Sequence, residues 1–120
     1  SYIGQDAKRI PQNKQTMNFG WINEKTDELI IQEVVLHEFG HALGLIHEHQ
    51  RHDADIKWNK PVVYKYYEMT NNWDKQMVDN NIFRRYNKNS LYFNTYDKTS
   101  IMMYAYPAYL TTNYVGTPWN

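Results

Sequence analysis

The sequence lacks several features that point to particular classes of protein. It contains no cysteine among its 120 residues, which excludes disulfide bonds and thiolate metal ligands. It has no apolar run near the roughly 18 residues that a membrane-spanning helix needs, and no amino-terminal signal peptide is visible. Its 13 basic residues balance its 13 acidic residues, so no excess charge indicates binding to nucleic acid or to an anionic membrane.

The composition is that of a folded protein. Hydrophobic residues make up 42% of the chain and aromatic residues 16%, which is too apolar for a disordered segment. A length of 120 residues corresponds to one domain or to a piece of one. Without disulfide bonds, such a chain depends for its stability on packing and on any metal ion that it binds.

Residues 37–47, with the sequence HEFGHALGLIH, contain three histidines and a glutamate within eleven positions. His37 and His41 are four residues apart, a spacing that places both on one face of a helix. Gly44 can adopt a positive φ, end the helix and turn the chain, so that His47 returns as a third ligand. Three histidines leave a tetrahedral zinc ion with one open position, which is the arrangement of catalytic rather than structural sites.

Glu38 follows the first histidine and can act there as a general base on the attacking water. A lone histidine on a helix is usually a surface or core residue, and the short pattern H-E-x-x-H also occurs in unrelated helices. Here five specified residues fall within eleven positions, which chance rarely produces. We therefore interpret the segment as a site for one catalytic Zn²⁺ ion.

The extended pattern resembles that of the metzincin metallopeptidases, and two further features make it similar to the astacin family in particular. Glu48 directly follows the third histidine, and a His-x-Arg pattern continues to Arg51. Residues 100–104, with the sequence SIMMY, resemble the S-x-M-x-Y turn of astacins, called the Met-turn. The lack of cysteine is more similar to a bacterial or fungal branch, and the short chain resembles the central part of the family's longer catalytic domain.

The resemblance implies a zinc metalloendopeptidase that hydrolyses peptide bonds in extended protein or peptide substrates. The implied metal ligands are His37, His41 and His47. Glu38 is implied as the general base that later returns the proton to the leaving amine. Tyr104 is implied as the residue that stabilises the tetrahedral intermediate.

The resemblance also bears on the residues around the ligands. In astacins the glutamate after the third ligand pairs with the mature amino terminus, and the partner of Glu48 in this chain stays open. Met102 is implied as an apolar floor beneath the histidines, while Met103 stands where the family usually has histidine. We interpret His49 and His52 as hydrated structural residues rather than a second metal site, because a metal needs several convergent ligands.

The predicted fold is α+β and metzincin-like, or zincin-like. A small mixed sheet packs on a buried zinc-binding helix, and a subdomain with the Met-turn lies below the cleft. Residues 1–120 are expected to form a single catalytic domain or part of one. The residues from Glu28 onward are apolar on most faces of a helix, which indicates a buried helix. Asn59 as a cap and Pro61 in the first turn predict the start of a further helix.

A strand is predicted over residues 16–22. Met17, Phe19 and Trp21 alternate with small or polar residues, a pattern typical of a half-buried strand. The resemblance makes it the edge strand that pairs with extended substrate. The last part of the chain, residues 105–120, has no periodicity and is predicted to be loop.

Two alternatives stay open at the level of function. The chain could be a zinc-binding pseudoenzyme or recognition module that does not cleave, although the intact Glu38 and Gly44 favour an enzyme. It could also be a serralysin-type metzincin, since serralysins share the tyrosine of the Met-turn. We expect a secreted or extracellular monomer whose partner is a protein or peptide substrate, with no nucleic acid and no membrane span.

Overall fold

The computed structural model of the protein describes residues 1–87 and 95–117. The chain divides into two compact units, residues 1–46 and residues 47–120. Within the described residues the regular structure is helical, and β-pairing is limited to two isolated antiparallel bridges, Trp58–Thr111 and Tyr106–Thr117. The predicted mixed sheet therefore stays a prediction. No helix in the described ranges is long and apolar enough to cross a membrane.

The first unit contains a 3-10 helix, Gly4–Arg9, and helix α1, Glu28–Ala42. Asp27 is the N-cap of α1, and its side chain accepts a hydrogen bond of 2.9 Å from the Leu29 amide. That bond satisfies one of the amides that a helix start leaves without an intrahelical partner. Helix α1 thus starts where the sequence predicts it.

The prediction of a strand over residues 16–22 is wrong for this structure, in which that segment consists of bends, turns and irregular backbone. Tyr2 donates a hydrogen bond of 3.0 Å from its amide to the carbonyl oxygen of Thr16, and Ile22 closes a turn onto Phe19. A strand exists only where a neighbouring strand pairs with it, and the alternating side-chain pattern cannot supply that neighbour.

The prediction that α1 is buried is also wrong within this chain. Among its residues only Gly40 and His41 are buried, whereas Leu29 is 67% exposed and Phe39 is 55% exposed. Apolar periodicity indicates which residues would favour burial, but burial itself needs something to pack against. Within the first unit, the only other helix is the six-residue 3-10 helix.

The second unit begins with a short 3-10 helix, Glu48–Gln50. It continues with α2, Lys60–Asn71, and α3, Lys75–Val78, which runs into a π-helical turn, Asp79–Phe83. A final 3-10 helix covers Ala108–Leu110. The prediction of a helix start at Asn59 is confirmed, because Asn59 is the N-cap of α2 and proline follows in its first turn.

The hydrophobic core described for the second unit joins these elements. Its buried members are Ala54, Ile56, Val63, Tyr67, Val78, Ile82, Met103, Tyr106 and Leu110. Aromatic rings pack around this cluster, with Tyr67 stacked on Trp73 at a centroid distance of 5.0 Å. Burial raises the pKa of Tyr67 well above its ordinary value, since a phenolate would lose its hydration there.

Candidate metal centre

Helix α1 ends in a pair of hydrogen bonds that fix the chain direction after the second histidine. The Leu45 amide donates to the Gly40 carbonyl at 2.9 Å, and the Gly44 amide donates to the His41 carbonyl at 2.8 Å. This is the Schellman arrangement, which requires a residue with positive φ just after the helix. Gly44 has φ +101°, so the predicted role of this glycine is confirmed.

The same turn orients the His41 side chain. Its Nδ1 lies 2.8 Å from the carbonyl oxygen of Leu45. A carbonyl oxygen only accepts, so Nδ1 carries the proton and Nε2 keeps the lone pair that a metal needs. His41 is 4% exposed. Burial lowers the pKa of His41, which favours the neutral form that binds metal ions.

The three predicted ligands come together. His37 lies edge-on to His41, with ring centroids 4.7 Å apart. His37, His41 and His47 each offer one ligand atom, and these atoms all lie within 4.8 Å of one another. Three imidazole nitrogens are a donor set that suits zinc with one position left open. The residues present therefore fit a catalytic zinc ion.

Glu38, the predicted general base, lies on the same helix between the two histidines. Its Oε2 accepts a hydrogen bond of 2.6 Å from the amine of Ser1. The Glu38 side chain keeps 21% of its surface exposed. One carboxylate oxygen is thus hydrogen-bonded while the side chain stays partly accessible to water.

Glu48, whose partner the sequence left open, is buried in the second unit. Its carboxylate accepts a hydrogen bond of 2.8 Å from the Asp97 amide and lies 3.4 Å from Arg51 Nε. Burial raises the pKa of Glu48, while the Asp97 amide and Arg51 oppose that rise. The Glu48 amide donates to the Met102 carbonyl at 2.9 Å. Glu48 therefore ties the residue after the third histidine to the Met-turn.

Arg51 extends this connection. Its Nε and Nη2 donate to the two carboxylate oxygens of Asp53 at 2.9 and 3.1 Å, and Asp53 also accepts from the Tyr96 amide at 3.1 Å. Paired donors match both carboxylate oxygens, so the pair is geometrically specific. The Arg51 hydrogen bond holds the pKa of Asp53 down to about 2. Asp55 pairs instead with Lys57, at 2.8 Å.

The two methionines of the Met-turn have different surroundings. Ser100 closes the turn, since its hydroxyl accepts from the Met102 amide at 3.1 Å and its carbonyl accepts from the Met103 amide at 3.0 Å. Among the described residues, the core cluster of the second unit contains Met103 but not Met102, although Met102 is only 2% exposed. Met103, which stands where the family usually has histidine, thus packs in the core of the second unit.

Tyr104 lies directly against the third histidine. Its ring meets the His47 ring edge-on, with centroids 4.4 Å apart. On another side it stacks on His49, at 4.5 Å with an interplanar angle of 26°. The Tyr104 carbonyl accepts a hydrogen bond of 2.6 Å from the Thr117 hydroxyl. The predicted catalytic tyrosine is therefore held by contacts on both its ring and its backbone.

The interpretation of His49 as a hydrated residue is wrong. His49 is 1% exposed, and its Nε2 lies 2.7 Å from the Asn81 carbonyl oxygen. The chain segment carries it inward because the short 3-10 helix Glu48–Gln50 is buried along its whole length. His52, three residues later, is half-buried.

Sequence reasoning also missed the residues that support Tyr104 from the end of the chain. Gly116 occupies a position where a Cβ atom would lie only 2.5 Å from the Tyr106 carbonyl oxygen, so a side chain would clash there. Thr117 and Tyr106 exchange two backbone hydrogen bonds of 3.1 Å. This segment was predicted as loop, and it contains instead the 3-10 helix Ala108–Leu110 and an antiparallel bridge. Gly116 in this segment was the one available signal, because a close approach of two backbone segments often requires glycine.

Comparisons with known proteins agree with this geometry. A family model described as Astacin, a family of peptidases, matches residues 1–118. A solved structure titled "Structure of myroilysin" is 45% identical with a TM-score of 0.95, and the match covers 98% of this chain and 58% of that one. A second, "Crystal structure of myroilysin", is 43% identical with a TM-score of 0.60, covering 100% of this chain and 53% of that one. No curated protein sequence matches significantly. The chain thus spans a little over half the length of the solved structures that it resembles.

Proposed function

The chain belongs to the astacin family of peptidases, and from this membership we propose that it carries the metal centre of a zinc-dependent endopeptidase. The proposed substrates are proteins or peptides bound in an extended conformation. The observation that carries the proposal is the group of three imidazoles whose ligand atoms lie within 4.8 Å. Of these, His41 has Nδ1 engaged by the Leu45 carbonyl, so its Nε2 is the atom left for the metal.

We assign His37, His41 and His47 as the ligands. A zinc ion bound there would supply a Lewis acid that polarises the scissile carbonyl and lowers the pKa of water toward about 7. The half-buried placement of His37 and His47 and the burial of His41 limit the water around the donors, which strengthens electrostatic interactions at the site.

We assign Glu38 as general base and then general acid. Its carboxylate takes a proton from the attacking water at one oxygen and passes it to the nitrogen of the leaving amine. The position of Glu38 between two ligands of the same helix supports this role, as does its partial exposure. Neutral glutamine in its place would keep the shape and lose the proton transfer.

We assign Tyr104 to the stabilisation of the tetrahedral intermediate. Its ring contact with His47 supports the assignment, since it places the phenol beside the third ligand. A phenol hydroxyl donates a hydrogen bond to the developing oxyanion, and an oxyanion donor of this kind is worth roughly 10²–10³ in kcat.

The remaining parts of the proposal concern the whole protein. We propose that a small mixed sheet backs α1 in the full domain, and the exposed apolar residues of that helix support this idea because they offer a surface for it. We further propose a secreted monomer that acts on protein substrates rather than nucleic acid. Light scattering of the full-length protein would test whether it is a monomer, and cell fractionation would test whether it is secreted.

The central test measures metal content and peptide cleavage on the full-length protein. Wild type, Glu38→Gln and His37→Ala are compared, each with and without a chelator. We expect wild type to hold one zinc per chain and to cleave a quenched peptide library, Glu38→Gln to hold zinc without cleaving, and His37→Ala to lose both. Zinc retention without cleavage by wild type would instead favour a binding module that does not cleave.

A further inference from the structure

The ring of His49 connects two parts of the second unit. On one side its Nε2 lies 2.7 Å from the Asn81 carbonyl oxygen in the π-helical turn Asp79–Phe83. On the other side it stacks on Tyr104 at 4.5 Å. A carbonyl oxygen only accepts, so Nε2 carries the proton and donates. Both the plane and the tautomer of the His49 ring are thereby set.

The end of a helix makes the Asn81 carbonyl available for this bond. The last carbonyl groups of a helix have no intrahelical amide to bind them. Here the Arg84 amide reaches back to Asp79, at 2.7 Å, and the helical turn ends at Phe83. Side chains bind these carbonyls at the helix end: Gln50 Nε2 donates to the Asn80 carbonyl at 2.9 Å, and His49 donates to the Asn81 carbonyl. The 3-10 helix Glu48–Gln50 is therefore docked by two adjacent bonds.

The third ligand contacts the same rings. His47 lies 5.4 Å from His49 and 4.4 Å from Tyr104 between ring centroids. Tyr104 thus meets one histidine ring edge-on and the other nearly face-to-face. Aromatic pairs at these distances prefer defined orientations. Two such contacts restrict the rotation of the Tyr104 side chain, and His49 is itself held by its bond to the Asn81 carbonyl.

We propose that His49 is a positioning residue that holds the Tyr104 phenol beside His47. The ring stack carries this effect, and the bond to Asn81 holds the stacking ring in place. The proposal rests on the proposed function of Tyr104 in stabilising the tetrahedral intermediate. A displacement of about 1 Å at a reacting group can cost up to about 100-fold in rate, so the support of Tyr104 matters to turnover.

Two substitutions separate the stack from the hydrogen bond. His49→Gln keeps a donor near the position of Nε2 and removes the ring. His49→Phe keeps a ring and removes the donor, which leaves the partly buried Asn81 carbonyl without this hydrogen bond and lowers Tm. His52→Gln is the matched control, because it makes the same change at a histidine of the same segment. Circular dichroism and thermal melting of the full-length protein show whether each variant folds.

The first readout is the NMR signal of the Tyr104 ring in tyrosine-labelled protein, assigned by its loss in Tyr104→Phe. In wild type, the Tyr104 ring lies against the His47 ring, so nuclear Overhauser effects are expected between the protons of these two rings. We expect His49→Gln to weaken these effects, while His49→Phe and His52→Gln keep them. Undiminished effects between Tyr104 and His47 in folded His49→Gln would overturn the proposal, whether or not the protein cleaves peptides.

The second readout is peptide cleavage. We expect His49→Gln to lower kcat about tenfold with KM within twofold, a loss no larger than that of Tyr104→Phe. Adding His49→Gln to Tyr104→Phe should cause no further loss, since the hydroxyl that His49 positions is already gone. If the double variant instead loses kcat by the product of the two single losses, the proposal is contradicted. Failure of wild type to cleave would refute the proposed function alone, and the NMR readout would still decide the positioning role.

Discussion

The hydroxyl of Thr117 donates a 2.6 Å hydrogen bond to the carbonyl oxygen of Tyr104. The two residues are thirteen positions apart, and the bond closes the chain between them into a loop beside the third histidine. Thr117 also exchanges two backbone hydrogen bonds with Tyr106. The far end of the described chain thus supports the residue that we assign to transition-state stabilisation.

We expect Thr117→Val to lower the free energy of unfolding by about 1–3 kcal/mol, because the Tyr104 carbonyl loses its donor while the side-chain shape is kept. Urea denaturation measures the change. Thr117→Ser, which retains the hydroxyl, is the control and should lose less. Equal losses in the two variants would show that the methyl group, and not the hydrogen bond, matters at this position.

Gly116→Ala should be more disruptive than its size suggests. The added Cβ would lie 2.5 Å from the Tyr106 carbonyl oxygen and 2.7 Å from the Ala108 amide nitrogen, and both are backbone atoms that cannot rotate away. We expect a loss of about 1–3 kcal/mol in the free energy of unfolding, as for overpacking elsewhere.

The matched control for that substitution is Gly20→Ala. There the new Cβ would meet the Asn18 side-chain oxygen at 2.9 Å, and a side chain can move. Thermal melts of both variants should show a clearly larger decrease of Tm for Gly116→Ala. Similar shifts in the two variants would contradict the close packing at Gly116.

The pair between Arg51 and Asp53 predicts a pH dependence of stability. The pKa of Asp53 falls from 3.8 to about 2 in the folded chain, mainly because of the Arg51 hydrogen bond. A carboxylate with a lowered folded pKa stabilises the protein above its unfolded pKa, and this contribution disappears as the pH falls from about 4 to 2. Since Asp53 is partly exposed, its contribution is expected to stay near or below about 1 kcal/mol.

Asp53→Asn should therefore be less stable than wild type at pH 7, and the difference should shrink below pH 4. Denaturant titrations at several pH values measure it. Asp55→Asn is the control, because the partner of Asp55 is the exposed Lys57, and we expect a smaller change there. A difference between Asp53→Asn and wild type that persists unchanged at low pH would rule out the charge as its source.

Zinc should stabilise the folded protein by mass action. A ligand at 100 times its Kd adds about 2.7 kcal/mol when it binds only the native state. We expect a chelator to lower Tm of the full-length protein and added zinc to restore it. His47→Ala should lose most of this response, while His52→Ala should keep it. An unchanged chelator response in His47→Ala would remove that histidine from the ligand set.

Local features were predictable from the sequence because they depend on neighbours in the chain. The spacing of His37 and His41 on one helix and the glycine after them each act within a few residues, and both appear as expected. The helix start at Asn59 belongs to the same class. Capping and turn chemistry are short-range, so a single sequence is enough to specify them.

Long-range pairings were not predictable. Glu48 binds the amide of Asp97, 49 positions away, and His49 binds the carbonyl of Asn81, 32 positions away. Nothing in the residue types distinguishes these partners from the other amides and carbonyls of the chain. The prediction of a buried α1 failed for a related reason, because the apolar faces of a helix do not specify which other part of a protein covers them.

The turn from Gly40 to Leu45 has a consequence for attempts to transplant this centre into another scaffold. The Leu45 carbonyl, which accepts the hydrogen bond from His41 Nδ1, belongs to the residue whose amide closes the Schellman arrangement. If only the histidines were grafted at their spacing, nothing would fix which ring nitrogen of the second histidine carries the proton. The smallest segment to transplant is the helix end together with its glycine turn. A graft that keeps this segment should hold the second histidine in the tautomer that binds a metal ion.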